Sequence, residues 1–90
     1  MVMKPTREQQ LLNDIIDELA FARSKFPGDK VTYTAMCEEV GELAKALLDE
    51  PSDRVREEGI QVVVMAMRVI LDGDSSYDEL RKERGLDSLV

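Results

Sequence analysis

Apolar residues recur every three or four positions through most of the chain, which is the periodicity of an amphipathic α-helix. Thr6 followed three positions later by Gln9 has the pattern of a capping box, so we predict a first helix from there to about Lys25. Its apolar positions are Leu11, Leu12, Ile15, Ile16 and Leu19. The other faces carry acidic residues that we expect to face solvent, namely Glu8, Asp14, Asp17 and Glu18.

A break and a second helix follow. Phe26-Pro27-Gly28-Asp29 ends the first helix, because proline disfavours helix at the residue before it and glycine accepts unusual backbone angles. Asp29 or Thr32 is expected to cap the second helix, which ends near Glu50. Its apolar stripe lies within an arc of roughly 100° and consists of Met36, Val40, Leu43, Ala44 and Leu47.

The third segment is rich in β-branched residues, which makes a strand conceivable, but it is longer than an ordinary strand and its polar residues keep a helical phase. We predict a helix from about Asp53 to Asp72, capped by Ser52 and closed by Gly73. It is apolar on several sides, so we expect it to be central and to lie in a subunit interface. A short fourth helix begins with a second capping box at Ser76 and ends before Gly85.

These elements predict an all-α fold, in which residues 1–90 form one domain. We expect an antiparallel bundle of three main helices plus a short C-terminal helix. Because a chain of this length buries only a small core, we expect oligomerisation to complete the bundle.

The amino-acid composition excludes several classes of function. The net charge of −7 leaves no basic stripe for nucleic acid, although small phosphorylated ligands remain open if a divalent cation binds. One cysteine cannot form an internal disulfide, and without histidine any acid–base chemistry falls to carboxylates, lysine or tyrosine. The N-terminus lacks the apolar run of a signal peptide, and residues 62–67 are too few to span a membrane. A cytoplasmic protein is expected.

The candidate chemistry is concentrated in the second helix, where Glu38, Glu39 and Glu42 occupy three of five consecutive positions. Glu39 and Glu42 project about 60° apart on a helix, so they are close enough to share one ion. A cation such as Mg²⁺ or Mn²⁺ would turn the repulsion among these carboxylates into a gain. The alternative interpretation is a solvated acidic face, which is common on helices.

A second acidic edge follows in the third helix, at Glu57 and Glu58. The turn at Pro51 is short, so the two helices should pack antiparallel and bring both acidic edges to a similar height. Such a concentration of negative charge is costly without cations. The two edges together therefore favour a divalent-metal site.

The motif Glu38-Glu39-Val40-Gly41-Glu42-Leu43-Ala44-Lys45-Ala46 resembles the first motif of the MazG-like nucleoside triphosphate pyrophosphohydrolases, an all-α group related to dimeric dUTPases. The resemblance spans the first three helices and fades after about Gly73. In the family's second motif, E-x-x-D, Glu58 matches, whereas Gln61 stands in place of the Asp. An amide oxygen can still coordinate Mg²⁺ but brings no charge.

The resemblance implies a Mg²⁺-dependent (or Mn²⁺-dependent) enzyme that cleaves NTP or dNTP between the α and β phosphates, giving a monophosphate and pyrophosphate. It implies metal ligands at Glu39, Glu42 and Glu58, a weaker one at Gln61, and Glu38 as the residue that orients or deprotonates the water. It also implies a homodimer or homotetramer. The candidates for phosphate binding, each with an ordinary surface or interface cation as the alternative, are Lys30, Lys45, Arg54 and Arg68.

Two other functions remain open from the residues alone. The chain could be a nucleotide- or metal-binding module without turnover, with Gln61 as the sign of lost chemistry. It could also be a small acidic helical protein that binds a basic partner. The identity of the base is not indicated by any residue pattern.

Overall fold

A computed structural model describes residues 3–90 of the chain, and this part of the chain is helical without a β-strand. None of its helices is both long and apolar enough to cross a membrane. The elements are α1 (Arg7–Lys25), α2 (Thr32–Asp49), α3 (Ser52–Asp72), a 3₁₀ turn (Ser75–Tyr77) and α4 (Asp78–Glu83).

The predicted helix boundaries are confirmed where local chemistry determines them. Thr6 and Gln9 form the expected reciprocal capping box at the start of α1. Gly73 closes α3 with a positive φ of 80°, a backbone angle that glycine adopts without steric cost. Two predicted caps are wrong. Ser52 is the first helical residue of α3 rather than its cap, and α4 follows the 3₁₀ turn without a capping box at Ser76.

The third helix is central, as its apolar sequence predicted. It packs against both α1 and α2, whereas α1 and α2 make no close contact with each other. The core lies between α1 and α3 and consists of Ile15, Leu19, Ala22, Ile60 and Val64. This arrangement leaves a space between α1 and α2 above the middle of α3.

The N-terminus of α2 is capped by a residue from the other end of the chain. Asp74 is 2% exposed, and its carboxylate accepts hydrogen bonds from the backbone N–H groups of Val31 and Tyr33 at 3.2 and 2.9 Å. It also accepts from the N–H and hydroxyl of Ser76. Neither Asp29 nor Thr32 caps this helix, so that prediction is wrong. Thr32 instead donates its hydroxyl to the carbonyl of Gly73, at 2.7 Å.

We expect Asp74→Ala to lower the free energy of unfolding by about 2–3 kcal/mol, because it leaves several part-buried N–H donors without their charged acceptor. Burial acts to raise the pKa of Asp74, but the hydrogen bonds from Ser76 and from the Tyr33 and Val31 backbone outweigh it and lower the pKa below its usual 3.8. The stabilisation is therefore present above about pH 3.8 and is lost as pH falls through the lowered pKa. Urea unfolding at pH 7 measures the first effect.

The matched control for that measurement is Asp78→Ala, which removes an exposed carboxylate in the first turn of α4. It should cost only a few tenths of a kcal/mol. Equal unfolding midpoints for the two variants would show that Asp74 is not the cap that holds α2.

One face of α2 is apolar and uncovered. Its residues follow helical spacing and are all exposed, namely Cys37, Val40, Gly41, Ala44, Leu47 and Leu48. Leu48 is 87% exposed, and a side chain at Gly41 would meet nothing within 4 Å. The predicted apolar stripe of α2 is thus split, since Met36 and Leu43 are half-buried while the rest of the stripe faces outward.

The chain is also extended for its size. Its radius of gyration is 15.7 Å, against about 12 Å for a compact domain of this length. Its accessible surface is 6872 Å², against about 5,300 Å² for a compact monomer of this mass. The excess of one chain is about twice the ~800 Å² that each partner buries in a protein–protein interface of standard size.

Candidate functional site

A cavity of about 890 Å³ occupies the space between α1 and α2 above α3. Its floor is α3, one wall is α1, and the loop of residues 26–31 closes one end. The polar and charged side chains that line it include Glu18, Lys30, Glu38, Glu39, Gln61 and Arg68. A volume of this size is in the range of small-molecule sites.

Arg68 holds the loop that closes the cavity. Its side chain is buried, and one guanidinium nitrogen donates to the carbonyls of Phe26 and Gly28 at 2.8 and 2.9 Å. Its Nε is buried without a hydrogen-bond partner and lies 3.6 Å from a carboxylate oxygen of Asp72. The Nε and Nη2 nitrogens of Arg23 also donate hydrogen bonds to the carboxylate of Asp72. These hydrogen bonds lower the pKa of Asp72.

The carboxylates of the two acidic edges meet at the contact between α2 and α3. Burial raises the pKa of Glu39, and a hydrogen bond with the Glu58 carboxyl raises it further. The charges of Glu58, Glu42 and Glu38 act in the same direction. Carboxyls of both α2 and α3 therefore affect the pKa of Glu39. This agrees with the predicted approach of the two acidic edges.

The expected convergence of four or five acidic groups is only partly present. Glu57 is turned outward to Arg54, and its side chain is 60% exposed. Glu58 is buried and accepts from Arg54 at 2.8 Å. Within residues 3–90, no three Cys, Asp or Glu side chains are arranged to hold a metal ion by themselves.

These donors nevertheless fit one kind of metal site. Mg²⁺ commonly binds through one or two carboxylates, several waters and the phosphates of a substrate, without a cage of protein ligands. Glu39 and Glu58 have the hard oxygen donors for that, and a cation there would favour the ionised form of Glu39, whose pKa is raised by burial and by the neighbouring carboxyls. The residues present fit Mg²⁺ accompanied by phosphates.

Gln61, predicted as a weak metal ligand, lies in the cavity, but its amide nitrogen donates to Glu18 at 2.7 Å. Glu18 was expected to face solvent, and this expectation is wrong because the side chain is half-buried against α3. Sequence reasoning missed it because Glu18 sits among other acidic residues of α1 with no local feature to distinguish it.

The four predicted phosphate-binding cations fall into two groups. Lys30 and Arg68 line the cavity. Lys45 is paired with Asp49 and Glu50 at 3.3 and 2.9 Å, outside the cavity lining.

Arg54 is the other cation outside the lining. It contacts three carboxylates near the α2–α3 turn, at Glu50, Glu57 and Glu58. The structure therefore brings two of the four cations to the cavity, while the other two pair with carboxylates near the α2–α3 turn.

An aromatic part of the cavity wall was not predicted. Phe21 and Phe26 line the cavity and are 55% and 63% exposed. The ammonium of Lys25 lies 5.7 and 5.4 Å from their ring centres, within the range of a cation–π contact. In the sequence, the only indication of this aromatic wall was that Phe21 lies near the C-terminal end of α1 and Phe26 just after it.

Comparisons with protein-family models, with curated proteins and with solved structures found no match to the chain.

Proposed function

We propose that this protein is a Mg²⁺-dependent nucleoside triphosphate pyrophosphohydrolase that uses the cavity between α1 and α2. The observation that carries the proposal is the position of Glu39, which lines a cavity that Lys30 and Arg68 also line, and whose pKa is raised by burial and by the nearby carboxyls of Glu58, Glu42 and Glu38. Glu58 is paired with Arg54, whereas Glu39 forms no ion pair within residues 3–90, so a positive ligand beside Glu39 would offset its charge. The resemblance of residues 38–46 to the MazG-like first motif supports the same reaction.

The residues of the chain have separate tasks in this reaction. Glu39 and Glu58 would hold the cation, and Glu42 and the Gln61 amide oxygen would be further ligands. Lys30 would contact phosphate oxygens in the cavity, and the buried Arg68 in its lining would add positive charge. Bound Mg²⁺ would supply charge neutralisation and polarisation of the phosphorus.

Glu38 is exposed at the cavity and would orient the attacking water and accept its proton. The water oxygen forms a bond to either the α or the β phosphorus. The bond between that phosphorus and the bridging oxygen breaks, and the bridging oxygen leaves with the other phosphorus. A monophosphate and pyrophosphate result, whichever phosphorus is attacked.

The first test is a panel of normal and modified NTPs and dNTPs, each with Mg²⁺ and without it. A nucleotide that binds the cavity should raise the melting temperature more with Mg²⁺ than without it, because ligands that bind only the folded state stabilise it. The same panel should release pyrophosphate. Absence of pyrophosphate from every member, with Mg²⁺ or Mn²⁺, would refute the proposal.

A binding module without turnover is the second candidate, because the Gln61 amide lacks charge and Arg54 already pairs with Glu58. In that case nucleotides would raise the melting temperature without releasing pyrophosphate, and Gln61→Asp would gain activity. An acidic interaction protein would differ from both, because its melting temperature would not respond to Mg²⁺ or nucleotides.

We also propose that the antiparallel bundle is completed by a second copy of the chain, as a homodimer or homotetramer. The uncovered apolar face of α2 and the excess of accessible surface support this assembly. Exposed apolar side chains on α3, such as Val63 and Ile70, extend the surface available to a partner.

Leu48→Glu is expected to shift the protein toward lower mass in sedimentation equilibrium, because it places a charge in the α2 face that the partner covers. Leu48 is 87% exposed in the single chain, so a monomer would lose little stability. The matched control is Leu86→Glu, on the C-terminal tail. If both variants keep the mass of the native protein, the α2 face is not the interface.

A further inference from the structure

The side-chain amide of Gln61 is held from the opposite wall of the cavity. Its nitrogen donates to Oε1 of Glu18 at 2.7 Å, which joins α3 to α1 between residues that are 43 positions apart. Both side chains are half-buried and line the cavity that contains Glu38 and Glu39. This pair is the one direct side-chain hydrogen bond between the α1 wall and the α3 floor within the described lining of the cavity.

The chemistry of an amide makes this contact directional. An amide has an oxygen that accepts and a nitrogen that donates, on opposite sides of one carbon, so fixing one fixes the direction of the other. Only the oxygen can bind a cation. Gln61 is three residues after Glu58 on α3, which places both on one side of the helix.

We propose that Glu18 is a positioning residue for the Gln61 amide, accepting its N–H so that the amide oxygen faces the cation and phosphates of the site. This role rests on the proposed function, because it requires that a cation binds beside Glu39 and Glu58. Outer partners of this kind fix the orientation of a metal ligand, and their loss typically weakens metal binding by about 10–100-fold.

Mn²⁺ together with imidodiphosphate, a phosphate ligand that resists hydrolysis, is the probe, because the carboxylates fit a cation accompanied by phosphates. Binding to the full chain is measured by the enhancement of water-proton relaxation that protein-bound Mn²⁺ causes. Glu18→Ala should bind Mn²⁺ about 10-fold or more weakly than the native protein. Glu18→Gln should stay close to the native protein, since a glutamine oxygen still accepts the N–H. Asp17→Ala is the matched control, because it removes the adjacent, exposed carboxylate of α1.

A double-mutant cycle separates positioning from packing. If Glu18 acts through Gln61, then Glu18→Ala should have no further effect on Mn²⁺ affinity in a Gln61→Ala background. Melting temperatures without metal verify that each variant is folded. The positioning role of Glu18 would be overturned if Glu18→Ala weakened Mn²⁺ binding equally in the native and the Gln61→Ala backgrounds. It would also be overturned if Glu18→Ala bound Mn²⁺ as tightly as the native protein.

Equally weak binding by Glu18→Gln and Glu18→Ala would overturn it too, because the charge rather than the accepted hydrogen bond would then matter. Failure of the proposed function gives a different result. If the native protein binds no Mn²⁺, the site and the role of Glu18 fall together. If Glu39→Gln abolishes binding while Glu18→Ala leaves it intact, the site stands and only the role of Glu18 is wrong.

Discussion

Glu39→Gln is expected to lower the rate of pyrophosphate release by about 1,000-fold, the scale seen when a group that stabilises developing charge is removed. The variant loses the carboxylate that faces Glu58, and an amide brings no charge to hold the cation. The fold should persist. Burial raises the pKa of Glu39, and the neighbouring carboxyls raise it further, so a neutral side chain removes an unfavourable buried charge.

The measurement is steady-state release of pyrophosphate with saturating Mg²⁺, accompanied by urea unfolding without metal. Glu83→Gln is the control, since it changes an exposed glutamate of α4 that lies outside the cavity lining. An unchanged rate in Glu39→Gln would remove Glu39 from the site. A collapse of the fold would instead show that the Glu39–Glu58 contact is structural.

Arg68→Met is expected to lower the free energy of unfolding by about 3 kcal/mol, because two part-buried loop carbonyls each lose a hydrogen bond from a charged donor. The guanidinium is 4% exposed and binds two loop carbonyls, at Phe26 and Gly28. Methionine keeps the length of the side chain but donates no hydrogen bond. The end of the cavity should therefore open, and the stabilisation by nucleotide should be lost.

Urea unfolding with and without the best nucleotide of the panel measures both effects. Arg84→Met, at the exposed end of α4, is the control and should leave both values near those of the native protein. A native unfolding midpoint for Arg68→Met would contradict the role of Arg68 in holding the loop.

The local parts of the fold could be predicted from the sequence. The reciprocal bonds of Thr6 and Gln9 join residues three positions apart, and the turn at Gly73 depends on one residue. The central position of α3 followed from its apolar residues on several sides. In each case the information lies within one or two turns of chain, where spacing and residue type determine the conformation.

The parts that were missed depend on partners far apart in the chain. Asp74 caps α2 across more than 40 positions, and Glu18 reaches Gln61 across 43. Nothing near Asp74 or Glu18 distinguishes them from other acidic residues, which make up 19 of the 90 residues. Their roles arise only when the helices pack.

The acidic site was predicted in part for the same reason. The periodicity of α2 and the short turn before α3 were enough to predict that the acidic edges of the two helices lie at a similar height. The opposite direction of Glu57 could not be predicted, because it depends on Arg54, which contacts three carboxylates at once. Which cations face the cavity likewise depends on the path of the loop of residues 26–31.

The most direct test of the proposed reaction is ³¹P NMR of the best nucleotide of the panel incubated with Mg²⁺ and either the native protein or Glu39→Gln. We predict equal amounts of monophosphate and pyrophosphate from the native protein and almost none from the variant. Diphosphate with inorganic phosphate, no products at all, or equal rates from the two proteins would contradict a pyrophosphohydrolase site at Glu39 and Glu58.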